Sequence, residues 1–154
     1  MFGIEITKMP DIKGYIQQVS RERYQNMNKL GFAIVREAKK KAPVYRGMLR
    51  NRIVHEVKTS IMPLDHTLRV YVPVKENGFY YASAVEHGTR PHYPPFDPIR
   101  RWVWLKRGGL GVSDKEVDST AWAIVRKIGR VGTKPHPFLH PSAKNVLRTW
   151  RWWK

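Results

Sequence analysis

Four histidines are the residues whose chemistry is most open: His87 and His92, five apart, and His136 and His140, four apart. Imidazole can ligate a metal or carry a proton near neutral pH. Such a site needs a carboxylate to orient the rings, and only Glu86 and Asp97 lie close in sequence. The surrounding prolines aim side chains outward, so ordinary hydrogen bonds are favoured over a zinc site. His87 or His136 acting with Glu86 would suit a small basic nuclease. However, no Asp/Glu pair recurs in a hydrolase-like context, and acid–base catalysis needs a geometry that this spacing does not supply. Gly108-Gly109-Leu110-Gly111 lacks the following Lys-Ser/Thr and the preceding strand of a phosphate loop. The absence of cysteine removes disulfides, thiolate ligands and a thiol nucleophile. The expectation is no reaction, no catalytic residue, no cofactor and no metal.

The elements that position these residues follow from periodicity. Phe2, Ile4 and Ile6 alternate in a short lead, an edge strand or an extended arm. From Asp11 to Lys41, Ile12, Tyr15, Ile16, Val19, Met27, Leu30, Ile34 and Ala38 recur at helical steps, interrupted by Arg23. Such a helix is about 45 Å long, so its N-terminal third is either separate or packed on another subunit. Pro43 ends it. A turn around Gly47 leads to a strand from Leu49 to Ile61. A connection at 62–66 leads to a second strand from Thr67 to Lys75, so an antiparallel hairpin is the simplest topology. Asn77-Gly78 marks another turn. Tyr81, Ala82 and Val85 share a short helical face that stops at Gly88, with Glu86 and Arg90 placed to pair across the glycine. Asp97 caps a helix to 107, broken at Gly108. Ser113 and Glu116 form a capping box for the next helix, ended by Gly129. A last helix starts near Pro141.

The 154 residues suit one domain spanning 1–154. The expected fold class is α+β: a long N-terminal helix packed on a small antiparallel β-sheet, with a helical-hairpin insertion at 96–131 and a C-terminal helix. No apolar run is long enough for a membrane span, and the N-terminus lacks a signal core, so no membrane partner is expected. The net charge of +17 is concentrated. Six basic and no acidic residues lie between Lys39 and Arg52, and eight basic and no acidic ones between Arg126 and Lys154. These blocks suit nucleic acid or an acidic protein surface, or serve solubility. Trp150, Trp152 and Trp153 crowd one helical turn and cannot share one core. They read as subunit anchors ahead of base-stacking platforms.

Three segments in order carry a resemblance. They are Ala42-Pro43-Val44-Tyr45-Arg46-Gly47-Met48-Leu49-Arg50-Asn51-Arg52-Ile53, then Tyr81-Ala82-Ser83-Ala84-Val85-Glu86-His87-Gly88-Thr89, then Pro137-Phe138-Leu139-His140-Pro141-Ser142-Ala143. Together they resemble the neck or tail-completion family of long-tailed bacterial viruses, over roughly residues 20–150. Arg46 and Arg52 stand where that family usually carries Thr and Ser. The resemblance implies a virion structural protein at the head–tail junction, assembled in the host cytoplasm as a homo-oligomeric ring that joins the connector to the tail. Its partners would be other neck and tail proteins (connector or stopper, tail terminator or tube), around a channel through which DNA passes. Candidate interface residues are Tyr45, Arg46, Arg50, Arg52, Glu86, His87, Arg90, His92, Trp150, Trp152 and Trp153. The alternative is a basic nucleic-acid-binding protein without catalytic activity.

Overall fold

A computed structural model describes residues 11–44, 47–73 and 81–151. The leading alternation at 2–6 and the Asn77-Gly78 turn lie outside these residues. The chain forms two compact units, one from Met1–Val74 with Phe138–Lys154 and one from Lys75–Pro137. The architecture is α+β, with a long N-terminal helix, a small antiparallel sheet and a C-terminal helix.

The first unit is built on α1 (Ile12–Lys41), a single uninterrupted helix. The Asp11 carboxylate caps it by accepting the Gly14 N–H at 2.8 Å, and Lys39, Lys40 and Lys41 occupy its last turn, where cations oppose the helix dipole. Its buried residues begin only at Leu30 and continue through Gly31, Ile34, Val35 and Ala38. Gly47, at φ 72°, then turns the chain into α2 (Met48–Asn51), a single helical turn. Strand β1 (Val54–Thr59) pairs antiparallel with β2 (His66–Tyr71), in a register running from Val54 opposite Tyr71 to Thr59 opposite His66. Finally α6 (His140–Thr149) returns to α1. Leu30, Ile34 and Val146 form one core cluster, with Leu68, Val70, Ala143 and Trp150 packed on it, and Ala38, Leu49, Ile53 and Phe138 are buried in the same unit.

The strand expected from Leu49 therefore begins only at Val54. The Asn51 N–H donates to the Gly47 carbonyl at 2.9 Å, and that of Arg52 to the Met48 carbonyl at 3.2 Å. These bonds draw 48–52 into a turn that faces no partner strand. The second strand stops at Tyr71 rather than Lys75, because Pro73 has no N–H to extend the ladder.

The second unit is a helical hairpin preceded by a short helix, α3 (Tyr81–His87). Helix α4 (Phe96–Leu110) starts one residue before Asp97, which lies in the first turn instead of capping it. It also runs through Gly108 and Gly109, ending where Gly111 turns left-handed at φ 65°. The expected capping box forms: Glu116 accepts from the Ser113 N–H at 3.0 Å and from its hydroxyl at 2.5 Å. A 3-10 turn (Asp114–Glu116) then opens α5 (Val117–Val131). The break expected at Gly129 lies instead at Gly132. Val103, Val117 and Ala121 are the buried centre, flanked by Phe96, Ile99, Trp102, Val112 and Ile124.

Gly31 is where α1 and the hairpin approach closely. A methyl group there would lie 2.3 Å from His55 Cδ2 and 2.9 Å from Leu68 Cδ1. We expect Gly31→Ala to destabilise the chain by about 1–3 kcal/mol through overpacking. Gly108→Ala, which meets open space, should instead stabilise it by roughly 0.5–1 kcal/mol. Urea unfolding followed by circular dichroism gives both signs.

Candidate functional site

Unit by unit, the structure offers three surfaces. The first is the outer end of α1 with the tip of the hairpin. Ile12 and Tyr15 are 61% and 69% exposed, and in the loop between the strands Ile61 and Met62 are 102% and 70% exposed. Nothing in the described residues covers them. The loop is tied to the helix: the Ser20 hydroxyl donates to the Pro63 carbonyl, and Arg23 reaches the Leu64 carbonyl at 3.4 Å.

His66 organises this junction and is buried. Its Nε2–H donates to the Ser20 carbonyl at 3.0 Å, so in the neutral ring Nδ1 accepts from the Thr59 hydroxyl, 3.0 Å away. Tyr24 meets the ring edge-on at 5.9 Å. At the other end of the hairpin His55 Nε2 lies 2.8 Å from Asn28 Oδ1, and Phe32 packs across its ring at 4.5 Å. Sequence reasoning overlooked this pair of histidines. Their signal was slight: His55 alternates inward on its strand, but its tie to Asn28 crosses 27 residues and that of His66 to Ser20 crosses 46.

The second surface is a shallow depression of about 500 Å³ lined by Arg36, Lys39, Lys40, Val44, Gly47, Arg50 and Asn51. Here the end of α1 and the α2 turn bring the first basic block together. Glu37 pairs with Lys40 at 2.8 Å, and that hydrogen bond holds its carboxyl below the usual range. Arg36, Lys39 and Arg50 make no ion pair among the described residues. Arg52 is exposed at the end of α2. Tyr45 and Arg46 lie outside the described residues.

The third is the second unit. Thr89 and Thr133 form an antiparallel bridge. Each donates its backbone N–H to the other's carbonyl at 3.2 Å, and their hydroxyls lie 3.0 Å apart. Gly88 and Gly132 precede them, both at φ 73°. Two Gly-Thr pairs thus close on each other. Glu86 is buried in the last turn of α3, and Arg90 is exposed. His87 and His92 are exposed, and His92 Nδ1–H donates to the Arg90 carbonyl at 2.9 Å. The His136 N–H donates to the Val85 carbonyl at 2.8 Å. His140 opens α6 in the other unit. Among the described residues, no group of three or more His, Asp or Glu is placed to hold a metal ion. On α5, Arg126, Lys127 and Arg130 line a depression of about 470 Å³ with Ala123 and Val131.

Of the tryptophans at the C-terminal end, Trp150 packs half-buried on the core of Leu30, Ile34 and Val146, and its buried Nε1 has no hydrogen-bond partner. Trp152 and Trp153 lie outside the described residues. Among these residues no helix is long and apolar enough to cross a membrane. Compared with protein-family models, curated proteins and solved structures, the chain matches none.

Two outcomes follow from this geometry. A methyl group at Gly132 would lie 1.9 Å from the Thr89 carbonyl oxygen, at a left-handed φ. Gly132→Ala should therefore cost about 1–3 kcal/mol and unmask the amides of Thr89 and Thr133 in hydrogen exchange. Separately, bonds from Ser113 hold the Glu116 carboxyl below its usual range. A depressed carboxylate stabilises above its unfolded pKa, and that contribution is lost as pH falls through its folded one. Glu116→Gln should thus lower the melting temperature at neutral pH and remove part of the acid-induced fall. An unchanged acid profile would refute the assignment.

Proposed function

We propose that this chain is a structural subunit that assembles into a ring at the head–tail junction of a long-tailed bacterial virus, joining the connector to the tail. One observation carries the assembly part: a helix and a hairpin tip project apolar residues that no described residue of their own unit covers. From Ile12 to Leu30, α1 extends about 27 Å before its first buried side chain. The monomer uses Ser20, Arg23 and Asn28 of that length to hold the hairpin but leaves Ile12 and Tyr15 exposed, and exposed large apolar residues in a tied, ordered loop mark a contact surface. The occupant is a second copy of the chain, because repeating one such contact around an axis closes a ring. The order of the Ala-Pro/Gly, Val-Glu-His-Gly-Thr and Pro-Phe-Leu-His-Pro segments supports the head–tail location. No reaction is required, and the mechanism is accumulation of weak contacts.

Net charge sets the conditions. Subunits of +17 repel at low ionic strength, so salt promotes their association by screening. Light scattering should show mass rising with concentration and salt towards a closed multiple, alone or with the connector and tail proteins of the same virion. Ile61→Ser with Met62→Ser should abolish the rise while leaving the circular dichroism unchanged. A monomer under every one of these conditions would sink the proposal, as would a ring indifferent to the double substitution.

A further inference from the structure

We infer that the outward face of α5 is a sequence-independent contact for the phosphate backbone of DNA, made by Arg126, Lys127 and Arg130. The inward face of the helix is fixed by Val117, Ala121 and Val125, all buried. At 100° per residue, Arg126 and Arg130 fall on the opposite side, four positions and about 6 Å apart. Lys127 lies beside them, and all three are exposed. Ala123 forms a low floor among them, leaving the depression of about 470 Å³. A small side chain flanked by cations admits a compact anion.

Local acidity does not cancel this charge. The one carboxylate of α5 is Asp118, in the first turn, and it is engaged by Arg100 at 2.5 Å. After Asp118 the sequence carries no acidic residue at all. Arg126, Lys127 and Arg130 make no ion pair among the described residues. The basic depression of the first unit is weaker in this respect, because Glu37 neutralises Lys40. Phosphate is favoured over an acidic protein surface because protein interfaces are centred on aromatic residues and none of the described residues lining this depression is aromatic, whereas Lys and Arg together are the ordinary means of backbone contact. Three long cations around a shallow depression suit phosphate oxygens, and a contact to phosphate positions DNA without selecting a sequence. The inference rests on α5 alone and not on ring assembly.

The test is fluorescence anisotropy of a labelled mixed-sequence duplex with the full chain, titrated at several salt concentrations. The triple variant Arg126→Gln, Lys127→Gln, Arg130→Gln should bind about tenfold or more weakly at low salt, and the slope of log affinity against log salt should shrink by about 2–3. Each single substitution should remove about one from that slope, which keeps the test valid if the triple variant folds poorly. The charge-matched control is Lys13→Gln, Arg21→Gln, Lys29→Gln, on exposed positions of α1. It should leave the slope nearly unchanged. Equal losses in both triples would overturn the inference, because binding would then follow net charge only. So would poly-glutamate binding as tightly as DNA through the same three residues, which would make the face an acidic-protein contact. Salt separates the two proposals: ring assembly strengthens with it and this binding weakens.

Discussion

The first unit depends on the close approach of a two-stranded hairpin to one side of α1. Two strands alone are marginal in water, and among the described residues this sheet has two. Packing on the helix stabilises them. Gly31 supplies the approach by leaving room for the His55 ring and Leu68. The attachment is made twice, at His55 with Asn28 and at His66 with Ser20. The distances agree: the four residues from His55 to Thr59, beside His66, rise about 13 Å as strand, and the eight from Ser20 to Asn28 rise about 12 Å as helix. Strand and helix therefore run side by side with one polar clamp at each end and Leu68 and Val70 on the core. Because His66 lies at the tip, the same clamp fixes the loop that carries Ile61 and Met62.

The second unit solves a different problem. Its buried centre of Val103, Val117 and Ala121 is small. Chain entry and exit are joined by the two Gly-Thr pairs, 44 residues apart. A bridge at that separation offsets a large loop-closure entropy, and it needs two residues at positive φ beside two β-branched ones. This gives a physical reason for Gly88-Thr89 and Gly132-Thr133: together they are a clasp.

Much of the fold was legible where one local force decides. The stripe of α1, the Asp11 start, the Ser113–Glu116 box and the hairpin all follow from periodicity or capping. Boundaries failed where a glycine was read as a stop. Gly108, Gly109 and Gly129 remain helical because the surrounding stripe outweighs about 1 kcal/mol each. The apolar Leu49 and Ile53 suit a strand from Leu49 in sequence, but among the described residues no partner strand lies opposite 49–53. Of the candidate interface residues, Arg50 was legible as part of a basic face. The burial of Glu86 was not, since burial depends on residues far away in sequence. The histidine clamps were illegible for the same reason.

The basic blocks are not all alike. Lys39, Lys40 and Lys41 sit at the C-terminus of α1, where cations stabilise a helix by opposing its dipole. Arg107 is held by Asp114 at 2.6 Å and lies over the Trp104 ring at 4.5 Å. Arg100 is held by Asp118. Arg130 falls in the last turn of α5 and has the dipole as a reason. Among the described residues Arg126 and Lys127 have none of these: no paired carboxylate, no ring and no helix end within a turn. Two exposed cations left without an opposite charge are where a polyanion can supply it. The apolar contacts of the first unit lie on other elements. Screening would relieve the repulsion between like-charged subunits and weaken a cation–phosphate contact, so under both proposals ionic strength would act on the two in opposite directions.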